Sequence, residues 1–144
     1  MLLRISNNLR GLVLNVKFYN LLLLIRIMRQ ALLDTSFIMT CIKQKIDLFT
    51  YLEEEGFQVL IPTQVITELE GLANSQSSAK SALKILLEKS FIKIDLKSNN
   101  VDNGIITYAN KNSKTIIATL DREIKHPVRN KKLIIKDKKM LEIL

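Results

Sequence analysis

From Gln30 onward the chain alternates short apolar runs with stretches of helical spacing, regularly enough to map its elements. Ala31-Leu32-Leu33 is an apolar run that stops at Asp34, and the Thr35-Ser36 pair behind it suits a helix start. Helices are predicted over 36–43 and 46–55, the second opened by Asp47 and closed by Gly56. Phe57 to Ile61 reads as a second strand ended by Pro62, with Thr63 expected to cap a helix running to Ala73. The polar run Asn74-Ser75-Gln76-Ser77-Ser78 predicts a loop. Residues 79–89 return to helical spacing, with Leu83, Leu86 and Leu87 on one face. A third strand over 91–94 precedes a helix that starts near Asp102 and runs to Lys111. Thr115 to Leu120 forms an apolar strand of the kind buried on both faces of a parallel sheet, and it ends at Asp121. A short helix and a fifth strand over 132–135 complete the map. Strands that alternate with helices in this way predict an α/β domain, a parallel sheet with helices on both sides.

Composition narrows the chemistry. At 144 residues the chain is expected to form one domain, and its 47% apolar content can furnish a core. The single cysteine, Cys41, rules out an internal disulfide and fits a reducing, cytoplasmic setting. With one histidine (His126) and one cysteine, a zinc site of the usual ligands is not available. Any metal would be held by oxygen, which favours Mg²⁺ or Mn²⁺. A ribonuclease mechanism built on two histidines is excluded for the same reason.

The net charge of +8 is unevenly spread. Arg4, Arg10, Lys17, Arg26 and Arg29 lie in the first thirty residues with no acid among them, so the rest of the chain is only mildly basic. Residues 1–29 therefore read as a basic, apolar extension before a domain over 30–144. Its run Leu21-Leu22-Leu23-Leu24-Ile25 is broken by Arg26 and is too short to span a bilayer, so no membrane role is expected. The segment loosely resembles a targeting peptide but no small-residue cleavage site follows. Met28 offers an alternative start, and an additional helix is the third reading.

Four carboxylates fall at strand-to-helix junctions. Ligands of an open parallel sheet bind beyond the carboxyl ends of its strands. Asp34 ends the first strand and Asp121 the fourth; Glu68 lies two turns into the helix after the second, and Asp102 opens the helix after the third. All four are expected at one edge of the sheet, where their mutual repulsion calls for cations. Two divalent ions roughly 3.5–4 Å apart can activate water and stabilise both oxygens of a phosphodiester displacement, with no protein nucleophile. Each residue also has an ordinary reading. Asp34 and Asp121 suit helix caps, Glu68 and its neighbour Glu70 a solvated face, and Asp102 in Val101-Asp102-Asn103-Gly104 a turn.

On these residues, 31–142 resemble the PIN-domain family of metal-dependent ribonucleases. The matching segments are Ala31-Leu32-Leu33-Asp34-Thr35-Ser36, Ile61 to Glu70 around Glu68, Val101 to Ile106 around Asp102, and Ile116 to Ile124 around Asp121. The Leu69-Glu70-Gly71-Leu72-Ala73 run is similar to the archaeal branch, which resembles PIN proteins of ribosomal RNA processing and some single-domain toxins. The resemblance implies a three-layer α/β/α sandwich with a five-stranded parallel sheet in the order 3-2-1-4-5. It also implies that Asp34, Glu68, Asp102 and Asp121 hold Mg²⁺ or Mn²⁺. Relatives of this branch commonly carry a second Asp where this chain has Asn103, whose amide oxygen can still serve a metal or its water. Thr119 is expected to orient an active-site carboxylate or water, the ordinary reading being a strand threonine. Arg122, Lys125 and Arg129 are candidates for RNA phosphates, or else a solvated basic face.

The expected function is a divalent-metal-dependent endoribonuclease acting on RNA, with a ribosomal precursor as one substrate class. A toxin of a toxin–antitoxin pair has the same chemistry under a protein inhibitor. A catalytically silent RNA-binding or assembly module is the alternative of a different class. The expected partners are RNA, a second copy of the chain in a homodimer, and an antitoxin or a ribosome-assembly protein.

Overall fold

The computed structural model describes residues 15–21, 23, 28–137 and 139–144. Most of the basic extension, including Arg4, Arg10 and Arg26, lies outside the described residues. Residues 15–21 are helical and exposed. No helix among the described residues is long and apolar enough to cross a membrane.

The strands are β1 (Arg29–Leu33), β2 (Phe57–Pro62), β3 (Ile92–Ile94), β4 (Ile116–Ala118), β5 (Lys132–Lys136) and β6 (Met140–Ile143). The helices are α1 (Thr35–Lys43), α2 (Leu48–Glu54), α3 (Thr63–Leu72), α4 (Ser77–Glu88), α5 (Val101–Lys111) and α6 (Arg122–Lys125). Together the strands form one sheet in the order β3-β2-β1-β4-β5-β6. The five expected strands pair in parallel in the order 3-2-1-4-5. The sheet is nevertheless six-stranded, because β6 folds back antiparallel on β5, Leu133 opposite Ile143 and Lys136 opposite Met140. The chain reverses near Asp137, a non-glycine residue at φ 50°. That turn lacks the Asn-Gly or Asp-Gly signal by which a hairpin is read from sequence, and four residues are too few to show alternation.

Successive residues of a strand point to opposite faces, and here both faces are covered. Ala31, Leu33, Val59, Ile61, Ile116 and Ala118 enter a core shared with Phe37, Ile38, Cys41, Leu52, Val65 and Leu69 of α1, α2 and α3. Leu32, Leu60 and Ile117 point the other way, against Ile105 and Ala109 of α5 and Ile124 of α6. Every one of these strand residues is at most 6% exposed, which explains the continuous apolar runs of the central strands. Cys41 is part of this packing, and burial pushes its thiol up to about 12.

Several boundaries moved for local reasons. Asp47 caps α2, accepting hydrogen bonds from the Thr50 amide (3.1 Å) and hydroxyl (2.8 Å). Gly56 at φ 77° takes the left-handed position after that helix. Thr63 is not a cap: it is the first residue of α3, and Pro62 stands at the cap position without a side-chain bond. Ser77 and Ser78, expected in a loop, belong to the first turn of α4. Asn100, not Asp102, caps α5 through the Asn103 amide at 2.9 Å. Gly104 lets α5 approach the preceding segment, since a Cβ there would sit 2.9 Å from Leu96 Cβ. The fourth strand stops at Ala118, because Thr119 and Asp121 leave the ladder to build the site described next.

Candidate active site

A cleft of about 840 Å³ opens at the carboxyl edge of the sheet, lined by residues that include Asp34, Glu68, Asp102 and Asp121. Asp34 follows the last residue of β1 and caps α1. Its amide continues the ladder to the Ala118 carbonyl (3.0 Å), which holds it beside the end of β4. Glu68 reaches the cleft from α3, and Asp102 from the first turn of α5. Asp121 caps α6, its carboxylate accepting the Glu123 amide at 2.8 Å.

Hydrogen bonds through Thr35 and Thr119 tie Glu68, Asp34 and Asp121 into a connected chain, which does not include Asp102. Thr35 donates its hydroxyl to Glu68 and its amide to Asp34 Oδ1, the latter at 2.8 Å. Asp34 Oδ2 accepts from the Thr119 hydroxyl at 2.8 Å and from the Ser36 hydroxyl at 3.2 Å. The Thr119 oxygen in turn accepts the Asp121 amide at 3.1 Å. Thr119 is fully buried, and its hydroxyl proton and one of its two lone pairs are committed between two carboxylate-bearing residues. Asp34 is itself only 6% exposed. Burial pushes its carboxyl above the ordinary carboxylate range, the bonds from Thr119, Thr35 and Ser36 pull it back, and the charge of Glu68 pushes it up again. A carboxylate so placed carries negative charge that a nearby cation would relieve.

Among the described residues, a close grouping of three carboxylates includes one absent from the sequence-based set. One oxygen each from Asp102, Asp121 and Glu123 lie within 4.8 Å of one another. Three hard oxygen donors at that spacing suit a cation of the Mg²⁺ or Mn²⁺ type.

A family model described as a PIN like domain matches residues 31–137. The chain belongs to that family. Its relatives include Ribonuclease VapC4 of Methanocaldococcus jannaschii, 31% identical over 122 residues, with 76% of this chain and 92% of that one covered. Among solved structures, the PIN domain endonuclease Utp24 superposes with a TM-score of 0.68 at 25% identity, covering 79% of this chain and 90% of that one. This PIN-like domain therefore shares its overall fold with Utp24.

Within the PIN-like domain, Asp34, Glu68, Asp102 and Asp121 all reach the cleft, whereas Glu70 does not line it. Asn103 is exposed and also absent from the lining. Arg122 and Arg129 are exposed, Lys125 is half-buried, and none of the three lines the cleft. His126 is exposed. Sequence reading passed over Glu123, Thr35 and Lys43. Glu123 was visible as an acid two residues after a capping Asp, in the first turn of the helix that Asp caps. Thr35 and Lys43 carried no such signal, because their position depends on which face of α1 meets the cleft.

Proposed function

We propose that the chain is a divalent-metal-dependent endoribonuclease. The observation that carries this reading is the convergence of four carboxylates, from four separate junctions, on one cleft with a fifth from Glu123 beside them. RNA as substrate is inferred from the relative named a ribonuclease, and internal cleavage from the neighbour named an endonuclease. A ribosomal precursor is the substrate class to which the family resemblance points.

Asp34, Glu68, Asp102, Asp121 and Glu123 would hold the ions, for which the all-oxygen donor set is suited. Bound there, such ions supply an acidified water and neutralise charge on the phosphate. The chain's own contribution is geometric. Thr119 fixes the orientation of Asp34 against the Asp121 backbone, and Thr35 links Asp34 to Glu68. Orienting groups behind metal ligands typically change affinity or activity ten- to a hundredfold, in order of magnitude about 10–100.

The test is cleavage of varied RNAs by the full chain in Mg²⁺ or Mn²⁺, with chelated controls and Asp34→Asn. Wild type should cut only with the divalent ion, and the substitution should abolish cutting because it removes a charge from the metal cage. Equal cleavage by both proteins, or none by wild type, would refute the reading.

A further inference from the structure

The cleft is polarised along its length. Thr35, Ser36, Met39, Thr40 and Lys43 line it at steps of three and four residues, so one face of α1 forms a wall. Asp34 caps that helix and Lys43 ends it. At a rise of 1.5 Å per residue their backbones stand about 13 Å apart along the axis, which displaces Lys43 from the carboxylates by about the length of the helix. One end of the cleft is thus a carboxylate cluster, and the other carries an exposed lysine. Lys43 makes no salt bridge among the described residues. Gln76, at the start of α4, also lines the cleft and makes no side-chain cap bond. Met39 and Leu72 add apolar surface to the same lining.

A cation, an amide and an apolar floor match the three parts of a nucleotide: phosphate, sugar or base edge, and base face. We propose that this arm, Lys43 with Gln76, Met39 and Leu72, holds a single RNA strand beside the cut, with Lys43 on a phosphate other than the scissile one. The inference rests on the endoribonuclease reading and deepens it. It assigns the strand's path to the α1–α4 side of the cleft rather than to Arg122, Lys125 and Arg129, none of which lines it. A lysine in the last turn of a helix also complements the helix dipole, so stability has to be measured alongside binding.

The experiment measures fluorescence anisotropy of a labelled, randomised single-stranded RNA pool with the full chain in Ca²⁺, for wild type, Lys43→Ala and Lys43→Arg. The same three proteins are assayed for cleavage in Mn²⁺. Lys43→Ala should weaken binding about fivefold at about 0.1 M salt and flatten the slope of log affinity against log salt by about 0.7, the single-strand value for one phosphate contact. Its kcat/KM should fall by the same factor, and Lys43→Arg should restore both. A shifted melting temperature with unchanged RNA affinity and salt slope would show a purely structural lysine and overturn the proposal. So would a wild-type protein that binds no RNA. Loss of binding in Lys43→Ala without cleavage by any of the three would uphold the arm and refute the nuclease reading instead.

Discussion

Thr119→Val removes one hydroxyl and almost nothing else, which makes it the sharpest probe of the site. The hydroxyl donates to Asp34 Oδ2 at 2.8 Å and accepts the Asp121 amide at 3.1 Å. Because Thr119 is fully buried, water cannot take its place. A hydrogen bond to a charged group contributes about 1.5–3 kcal/mol, and a buried amide left unpaired costs about 1–3 kcal/mol. Ser36 still serves Asp34 Oδ2 at 3.2 Å and Asp121 is only half-buried, so the lower part of the combined range applies. The metal-free protein should lose about 3 kcal/mol, a fall of about 10 °C in Tm for a domain of this size. Freed from Thr119, the Asp34 carboxylate is no longer locked to the backbone of Asp121, and Mn²⁺ affinity should drop about 10–100-fold. Thermal melts in chelator, calorimetric Mn²⁺ titration and RNA-cleavage rates check these three quantities, with Thr119→Ser expected to retain all of them. If Thr119→Val lowers Tm but binds Mn²⁺ and cuts RNA as wild type does, the hydroxyl is structural only and the positioning role is wrong.

Two further outcomes concern the frame that carries the site. Gly104→Ala would normally stabilise a helix interior by about 1 kcal/mol, but here the new Cβ meets Leu96 Cβ at 2.9 Å and Ser98 Cβ at 3.1 Å. Equilibrium denaturation should therefore show a net loss of about 1–2 kcal/mol; a gain in stability would refute the close approach. Asp47→Ala should cost about 0.5–1 kcal/mol through loss of the α2 cap, discounted for exposure, with RNA cleavage untouched. The bonds from Thr50 hold the Asp47 carboxyl below its ordinary range. Its stabilising contribution is therefore present above the ordinary aspartate value and disappears as pH falls through the depressed one. Denaturation midpoints at neutral and strongly acid pH should show the wild-type advantage shrinking; a constant difference would contradict the assignment.

Glu123 adds a third carboxylate to the corner formed by Asp102 and Asp121. An aspartate at position 103 would add a negative charge to the first turn of α5, next to Asp102. The chain instead brings Glu123 from the first turn of α6 to within 4.8 Å of Asp102 and Asp121, so a third carboxylate reaches that corner from another element. Asn103 is exposed on α5, and its backbone N–H is donated to the Asn100 cap.

The order of elements, the parallel core of the sheet and four of the carboxylates were legible in the one-dimensional pattern. Apolar runs such as Ala31 to Leu33 and Thr115 to Ala118 can be satisfied only between two layers, and a carboxylate directly after such a run has one edge of the sheet to occupy. Those are local consequences of burial and period. What tertiary structure decided depends on contacts between residues far apart in sequence. Thr119 meets Asp34 across 85 positions and Thr35 meets Glu68 across 33, and no local pattern announces either pair. β6 exists because β5 offers an open edge, not because Met140 to Ile143 declare a strand. Lys43 and Glu123 acquired their places in the same way, one through the face that α1 turns to the cleft, the other through the docking of α6 beside α5. Sequence determined which groups could hold a metal; packing determined which of them meet, because only the assembled sheet brings the ends of its strands together.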